Sequence, residues 1–328
     1  MARYYVCDPP GKAPVSAEIT GYAVSALTFL HSIGGREEYR EAALRAARFL
    51  TRGAWDPAAS TFPFEPGSKL AYFFDLGIIV RGLLAAWRAT GDAEFHDRAR
   101  EAALSLAFDF LGGGGVFHPV ISLPDKQPLP HEPRWSRSPG CYQLKAALAW
   151  RETGEEHAGK LYEAVLAQAL ASHRAFLASE TDREKTMDRL HAYCYFLEGL
   201  LPVADRPAVR TELAWGVSAT GRLLREIAPL FERSDVCAQL LRVRLIAHHL
   251  GALPLEEAAA REEAGRARSF QAADGPDERI RGGFYFGRKN GRMLPFSNPV
   301  STAFCLQALH LWERHESGSW AFDLHALI

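Results

Sequence analysis

Apolar residues recur at i, i+3, i+4 and i+7 along almost the whole chain, whereas period-two alternation over strand length is scarce. The pattern predicts an all-α protein. Its helices alternate in character. One series is apolar nearly all round and suits burial on both sides: Ile19–Ser32, Ala71–Thr90, Cys141–Thr153, Leu190–Val203, Val236–Leu250 and Val300–His315. The other series is amphipathic and charged: Arg36–Thr51, Asp92–Phe110, His157–Phe176, Ala208–Glu232 and Leu255–Phe270. These suit an outer ring facing water. Together they make a loose repeat of about 50 to 60 residues, one helical hairpin long.

The connections sort into two kinds. Ile33-Gly34-Gly35-Arg36-Glu37-Glu38-Tyr39, Thr90-Gly91-Asp92-Ala93-Glu94-Phe95 and Thr153-Gly154-Glu155-Glu156 each place glycine after one helix and acids in the first turn of the next. The returns from amphipathic to apolar helices, Gly53–Ser68, Gly112–Pro139 and Ala272–Pro299, are longer and rich in aromatic residues, proline and glycine. Because helix direction alternates, the long loops are expected at one end, where the apolar helices begin. A site belongs there, with loops to shape it and helix N-termini to favour anions.

The 328 residues contain no Pro/Gly/Ser linker or composition break, so one domain over residues 1–328 is expected. The 48% hydrophobic content supplies a large core. A net charge of −1 without long runs of one sign implies neither a nucleic-acid partner nor an anionic membrane surface. Cys7, Cys141, Cys194, Cys237 and Cys305 are widely spaced, with no CxxC, which points to reduced thiols. With no apolar leader region and no apolar run of roughly 18 residues, no membrane span is expected and the protein reads as cytoplasmic.

Six buried helices alternating with amphipathic ones, joined by Gly-Asp turns followed by an aromatic residue, resemble the six-hairpin glycosidase-like (α/α)6 toroid superfamily over nearly the whole chain. Glu18-Ile19-Thr20-Gly21-Tyr22 and Asn298-Pro299-Val300-Ser301-Thr302-Ala303-Phe304 are similar to bacterial members associated with polysaccharide biosynthesis. The resemblance implies a toroid of six hairpins acting on carbohydrate. Related toroids include terpene cyclases and prenyltransferases. Against these, the chain has no Asp-x-Asp-Asp run, no regular Gln/Trp repeat and no Cys–His pair at ligand spacing.

Polar residues near the starts of the apolar helices carry the candidate chemistry, because a buried polar group without a partner costs on the order of 1–3 kcal/mol. They are Glu18 and Tyr22; Tyr72 and Asp75; Tyr142 and Gln143; Asp188, His191, Tyr193 and Tyr195; Asp235, Gln239 and Arg242; and Asn298, Ser301 and Thr302. Asp75 stands in an apolar helix, either as a general acid or base with a raised pKa or as a packing acid paired with an arginine. His191, among tyrosines, can contact a sugar or transfer a proton, or it is a satisfied core residue. Glu198 lies deeper on the same helix. Asp235 is an acid or an N-cap. Gln239 and Arg242 continue its face, where Arg242 meets either a protein carboxylate or an acidic sugar.

The catalytic candidates are therefore Asp75, Asp235, His191 and Glu198, with Asp75 and Asp235 as the acid pair for hydrolysis. The substrate-binding candidates are Tyr22, Tyr142, Gln143, Tyr195, Gln239, Arg242, Asn298 and Trp135, the last as a lid. No cofactor is expected. Gly112–Gly115 lacks the Gly-Lys-Ser/Thr of a phosphate loop, and the His248-His249 doublet should diverge on its helix, so no metal is expected either. The leading reading is an enzyme acting on a glycan or uronic-acid-containing sugar by hydrolysis, elimination or epimerisation. Its partner is a small-molecule or oligosaccharide substrate. The alternatives are a non-catalytic glycan- or lipid-binding toroid in polysaccharide assembly and a terpene- or prenyltransferase-like toroid.

Overall fold

The computed structural model describes residues 1–154, 156–273 and 277–328. Glu155, counted among the acids of the third short turn, and residues 274–276 of the last long loop lie outside the described residues. Among the described residues there are eleven α-helices: α1 (Ala17–Gly34), α2 (Glu37–Phe49), α3 (Phe73–Thr90), α4 (Ala93–Phe108), α5 (Gln143–Thr153), α6 (Glu156–Ala178), α7 (Arg183–Leu200), α8 (Pro207–Ile227), α9 (Ser234–His249), α10 (Glu257–Arg268) and α11 (Pro299–Glu316). Short strands sit ahead of α1 and between helices: β1 (Tyr5–Cys7), β2 (Pro10–Lys12), β3 (Leu70–Tyr72), β4 (Val120–Ser122), β5 (Phe231–Arg233), β6 (Gly287–Lys289), β7 (Arg292–Met293) and β8 (Phe296–Ser297). None of these helices is long and apolar enough to cross a membrane.

The six apolar helices are the odd-numbered ones and the five amphipathic helices the even-numbered ones, as the periodicity predicts. The short joints repeat as expected. Gly35, Gly91 and Gly154 all adopt left-handed backbone (φ 64°, 72° and 75°), which glycine enters without a Cβ penalty. Gly35 and Gly91 then donate their N–H groups to the carbonyls of His31 and Trp87, satisfying acceptors at the helix ends.

Among the boundaries that differ from the sequence expectation, two do so because strand pairing overrides local helical preference. Ala71 was expected to open the helix over Ala71–Thr90. Instead Leu70–Tyr72 pair antiparallel with β4, Ala71 opposite Ile121, and the helix starts at Phe73. Glu232 was expected to end the helix over Ala208–Glu232. That helix stops at Ile227, and Phe231–Arg233 form β5, with Glu232 opposite Arg288 of β6. Partners so distant in the chain leave no local period to read. A third helix, expected from Leu190, begins at Arg183, because Asp182 caps it by accepting from the N–H groups of Glu184 and Lys185.

The chain divides into two compact units: Met1–Arg3, Pro14–Ala169 and His325–Ile328 form the first, and Tyr4–Ala13 with Leu170–Leu324 the second. In the first unit, Phe73 packs edge-on against Phe110 and Trp150, with ring centroids 5.8 and 5.7 Å apart. Helices α1 and α3 approach closely at glycines: a Cβ on Gly82 would lie 2.5 Å from the Gly21 carbonyl oxygen. Small residues let the two backbones meet, which aligns the N-terminal turns that carry Glu18 and Asp75. In the second unit, β2-β1-β8 and β5-β6-β7 form two small sheets. Its core contains several buried charges, including Arg242, Glu198, Arg244 and Glu263, placed in pairs as burial requires.

Candidate functional site

Each unit contains a cluster of candidate groups. In the first, Glu18 lies in the opening turn of α1 and Asp75 in that of α3. A helix N-terminus favours a carboxylate, yet both groups are shifted the other way. Burial pushes Glu18 up to about 7, with Arg3 opposing the shift. Burial, then the charge of Glu18, hold Asp75 well above the usual carboxylate range, with Arg3 again opposing. Asp75 Oδ2 is buried and has no hydrogen-bond partner among the described residues. Two interacting carboxyls with raised pKa values hold protons above the usual carboxylate range, so that one group can donate while the other accepts.

Aromatic residues surround this pair. Tyr72, partly exposed, precedes α3, with Phe64 5.0 Å away and the Arg137 guanidinium 5.8 Å from its ring. Tyr142 is buried against Phe74 and meets Trp135 edge-on at 5.1 Å, while its hydroxyl donates to the Ser138 carbonyl at 3.0 Å. Trp135 itself is part-buried in a single helical turn, Trp135–Arg137. Tyr22 is buried on α1, one turn below Glu18, with the Lys145 ammonium 5.9 Å from its ring. Gln143 ties loop to helix, its Oε1 accepting from the Gly140 N–H at 3.0 Å and its Nε2 donating to the Phe117 carbonyl at 3.1 Å. Arg3 reaches the cluster through an ion pair to Glu65, its guanidinium 4.6 Å from the Phe64 ring.

The second unit assembles His191, Tyr195, Gln239 and Asp235. His191 Nδ1 donates to Gln239 Oε1 at 2.7 Å, and Nε2 accepts from the Tyr195 hydroxyl at 2.9 Å. Burial lowers the histidine to about 4, against the pull of Asp235 at 3.7 Å, so the ring is neutral at pH 7. Asp235 is engaged elsewhere. Arg233 clamps it through two hydrogen bonds of 2.9 and 2.7 Å and extends its third arm to Asp188 at 2.7 Å. Burial raises the Asp235 pKa, but Arg233 and His191 outweigh it and the carboxyl stays below its ordinary value. Gln239 Nε2 is buried without a partner among the described residues, a donor left over beside the neutral histidine.

The remaining sequence candidates also have protein partners. Arg242 and Glu198 are both wholly buried and form an ion pair, with Arg242 donating to Gln307 Oε1 at 2.9 Å and lying over the Phe304 ring at 4.1 Å. Asn298 caps α11, its Oδ1 accepting from the Val300 N–H at 2.7 Å. Within its own unit, Asp75 interacts with Glu18, and Asp235 with Arg233. Sequence reasoning noted Glu18 as a polar residue but placed neither it nor Arg3, Arg233 or Gln307 among the site residues. The run Glu232-Arg233-Ser234-Asp235, an arginine flanked by acids before a helix, was the available signal for Arg233. The His248-His249 doublet does not diverge as expected. The two rings meet His315 of α11, because both helices end at the same place.

No family model matches the chain, and no curated protein does. Solved structures do. A cellobiose 2-epimerase from Spirochaeta thermophila superposes with a TM-score of 0.71 at 16% identity, covering 95% of this chain and 90% of that one. A D-mannose isomerase gives 0.69 at 9% identity, covering 96% and 92%. An alpha-mannanase from Bacteroides thetaiotaomicron gives 0.62 at 11% identity, covering 92% and 88%. These structural relatives are carbohydrate-active enzymes. At such identities the likeness establishes the fold: the chain is all-α with the (α/α)6 toroid architecture of six-hairpin glycosidase-like proteins.

Proposed function

We propose that the protein is an enzyme that cleaves a glycosidic bond in a neutral sugar, with Glu18 and Asp75 as its acid–base pair and Tyr72, Tyr142 and Trp135 as the aromatic surface for the sugar. The observation that carries this reading is Asp75: among the described residues it has no ion pair and a buried oxygen without a partner, and it is raised by burial and by a second carboxyl. Acids all engaged in salt bridges would favour a binding protein. Asp235 and Glu198 are so engaged, whereas Asp75 is not. In cleavage, the protonated member of the pair gives its proton to the leaving oxygen as the bond to the anomeric carbon breaks. The ionised member supports attack at that carbon, directly or through water. The carbohydrate-active structural relatives support sugar as the substrate. Arg242, read from the sequence as meeting either a protein carboxylate or an acidic sugar, has its charge answered by Glu198, which favours a neutral substrate. Five free cysteines are consistent with a reducing compartment, and we place the activity in the cytoplasm.

A second reading rests on the His191, Tyr195 and Gln239 group, whose unpaired Gln239 donor suits a sugar oxygen during epimerisation or isomerisation. One experiment separates the two. The protein is incubated with a panel of neutral disaccharides and aryl glycosides, and products are followed by chromatography and NMR. New reducing ends are expected, with Asp75→Asn lowering kcat at least ~100-fold while the circular dichroism spectrum is unchanged. Products of unchanged mass, insensitive to Asp75→Asn but lost in His191→Ala, would move the chemistry to the second group.

A further inference from the structure

We propose that His248, His249 and His315 form a binding site for a divalent transition-metal ion, of which Zn2+ is the working case, where α9 and α11 end. The site is independent of the sugar chemistry above. Each histidine offers one ring nitrogen, and these nitrogens all lie within 4.8 Å of one another. His249 Nε2 and His315 Nδ1 are already 3.1 Å apart. Zinc–nitrogen bonds of about 2.0–2.1 Å in a tetrahedron put two ligand nitrogens roughly 3.3 Å apart. Seating an ion therefore replaces one hydrogen bond between two imidazoles with two coordinate bonds, the His249 Nε2 proton passing through solvent to Nδ1 of the same ring, and needs only small adjustments of the side chains.

The surroundings orient the ligands. Glu257 Oε1 accepts from His315 Nε2 at 2.9 Å. That bond fixes the proton on Nε2 and leaves the lone pair on Nδ1, the nitrogen facing His249, as carboxylates do behind metal-binding histidines. The Trp320 indole stacks on His249 with centroids 3.8 Å apart and planes 6° from parallel, which sets the plane of that ring. The His248 ring stands 5.1 Å from that of His249 and 5.8 Å from that of His315. Two helix C-termini place partial negative charge beside the cluster, favourable for a cation. His248 and His315 are part-buried while His249 is exposed, so an ion can enter from solvent. Imidazole ligands without thiolates suit Zn2+, Ni2+ or Cu2+ over Mg2+ or Ca2+.

The test is isothermal titration of the chelator-treated full chain with ZnCl2, with Co2+ absorption as a second report of nitrogen ligation. One Zn2+ per chain is expected, with a Kd in the micromolar range or below. His249→Ala and His315→Ala should each weaken binding at least tenfold, and Glu257→Gln by about 10–100-fold, with circular dichroism unchanged. Because His249 is exposed, at least His249→Ala should fold and report. No saturable binding, or binding of undiminished affinity in the His248→Ala/His249→Ala double variant, would overturn the assignment.

Discussion

Replacing Glu18 by glutamine should stabilise the protein in mildly alkaline buffer and leave it nearly unchanged in acid. In the unfolded chain the Glu18 carboxyl titrates at its ordinary value of 4.5, and burial raises it to about 7 in the folded protein. Between those two pH values the folded state binds more protons than the unfolded one, so stability falls as pH rises and levels off above about 7. At about 1.4 kcal/mol per pH unit the full loss is roughly 3 kcal/mol. Glu18 keeps partial contact with solvent and shares its titration with Asp75, which brings the expected figure to about 1.5–3 kcal/mol. Glutamine never ionises and escapes this cost. Its neutral amide also removes the charge that helps to raise Asp75. With an unfolding entropy of about 2 cal/mol/K per residue, the gain over a chain of this length corresponds to roughly 2–4 °C in Tm. Thermal melts of the parent and Glu18→Gln at pH 5 and pH 8.5 measure it. The parent should lose Tm between the two buffers by that margin relative to the variant. Parallel pH dependences would mean that Glu18 is not held protonated by burial, and the acid–base pair would lose its physical basis.

Glycosidase activity should decline in alkaline buffer as the Glu18/Asp75 pair, both members raised by burial, gives up its protons, and a rate that keeps rising with pH would contradict the assignment. His191 should titrate near 4, so its ring proton resonances should hold still from pH 5.5 to 8; a midpoint near the ordinary histidine value would refute the buried neutral ring. Gly82→Ala should cost about 1–3 kcal/mol in urea denaturation, since its Cβ would press on the Gly21 backbone at 2.5 Å, and an unchanged midpoint would show that α1 and α3 can separate freely. Glu198→Ala leaves the Arg242 charge buried without its carboxylate and should cost about 3–5 kcal/mol, whereas a loss below ~1 kcal/mol would show that Arg242 gains water or another acid.

The alternation of all-round apolar and one-sided helices, and the three glycine joints, follow from local chemistry: a 3.6-residue period, and a left-handed residue at each helix end. They were therefore legible in the chain itself. The same reading picked out Asp75, His191, Tyr195, Gln239 and Arg242, because a polar residue inside an apolar stripe stands out against its neighbours. What each of them meets was decided by tertiary structure. Asp75 acquired Glu18, distant in the chain, through the close approach of α1 and α3; Arg242 acquired Glu198 and Gln307; and His315 turned the histidine doublet into a cluster. The two- and three-residue strands followed the same rule, since their hydrogen bonds depend on distant partners. A sequence records which groups are costly to bury, because that cost belongs to the residue and its helix face. The group that offsets the cost, and with it a carboxyl's protonation state or an arginine's availability, depends on distances that only the packed chain sets.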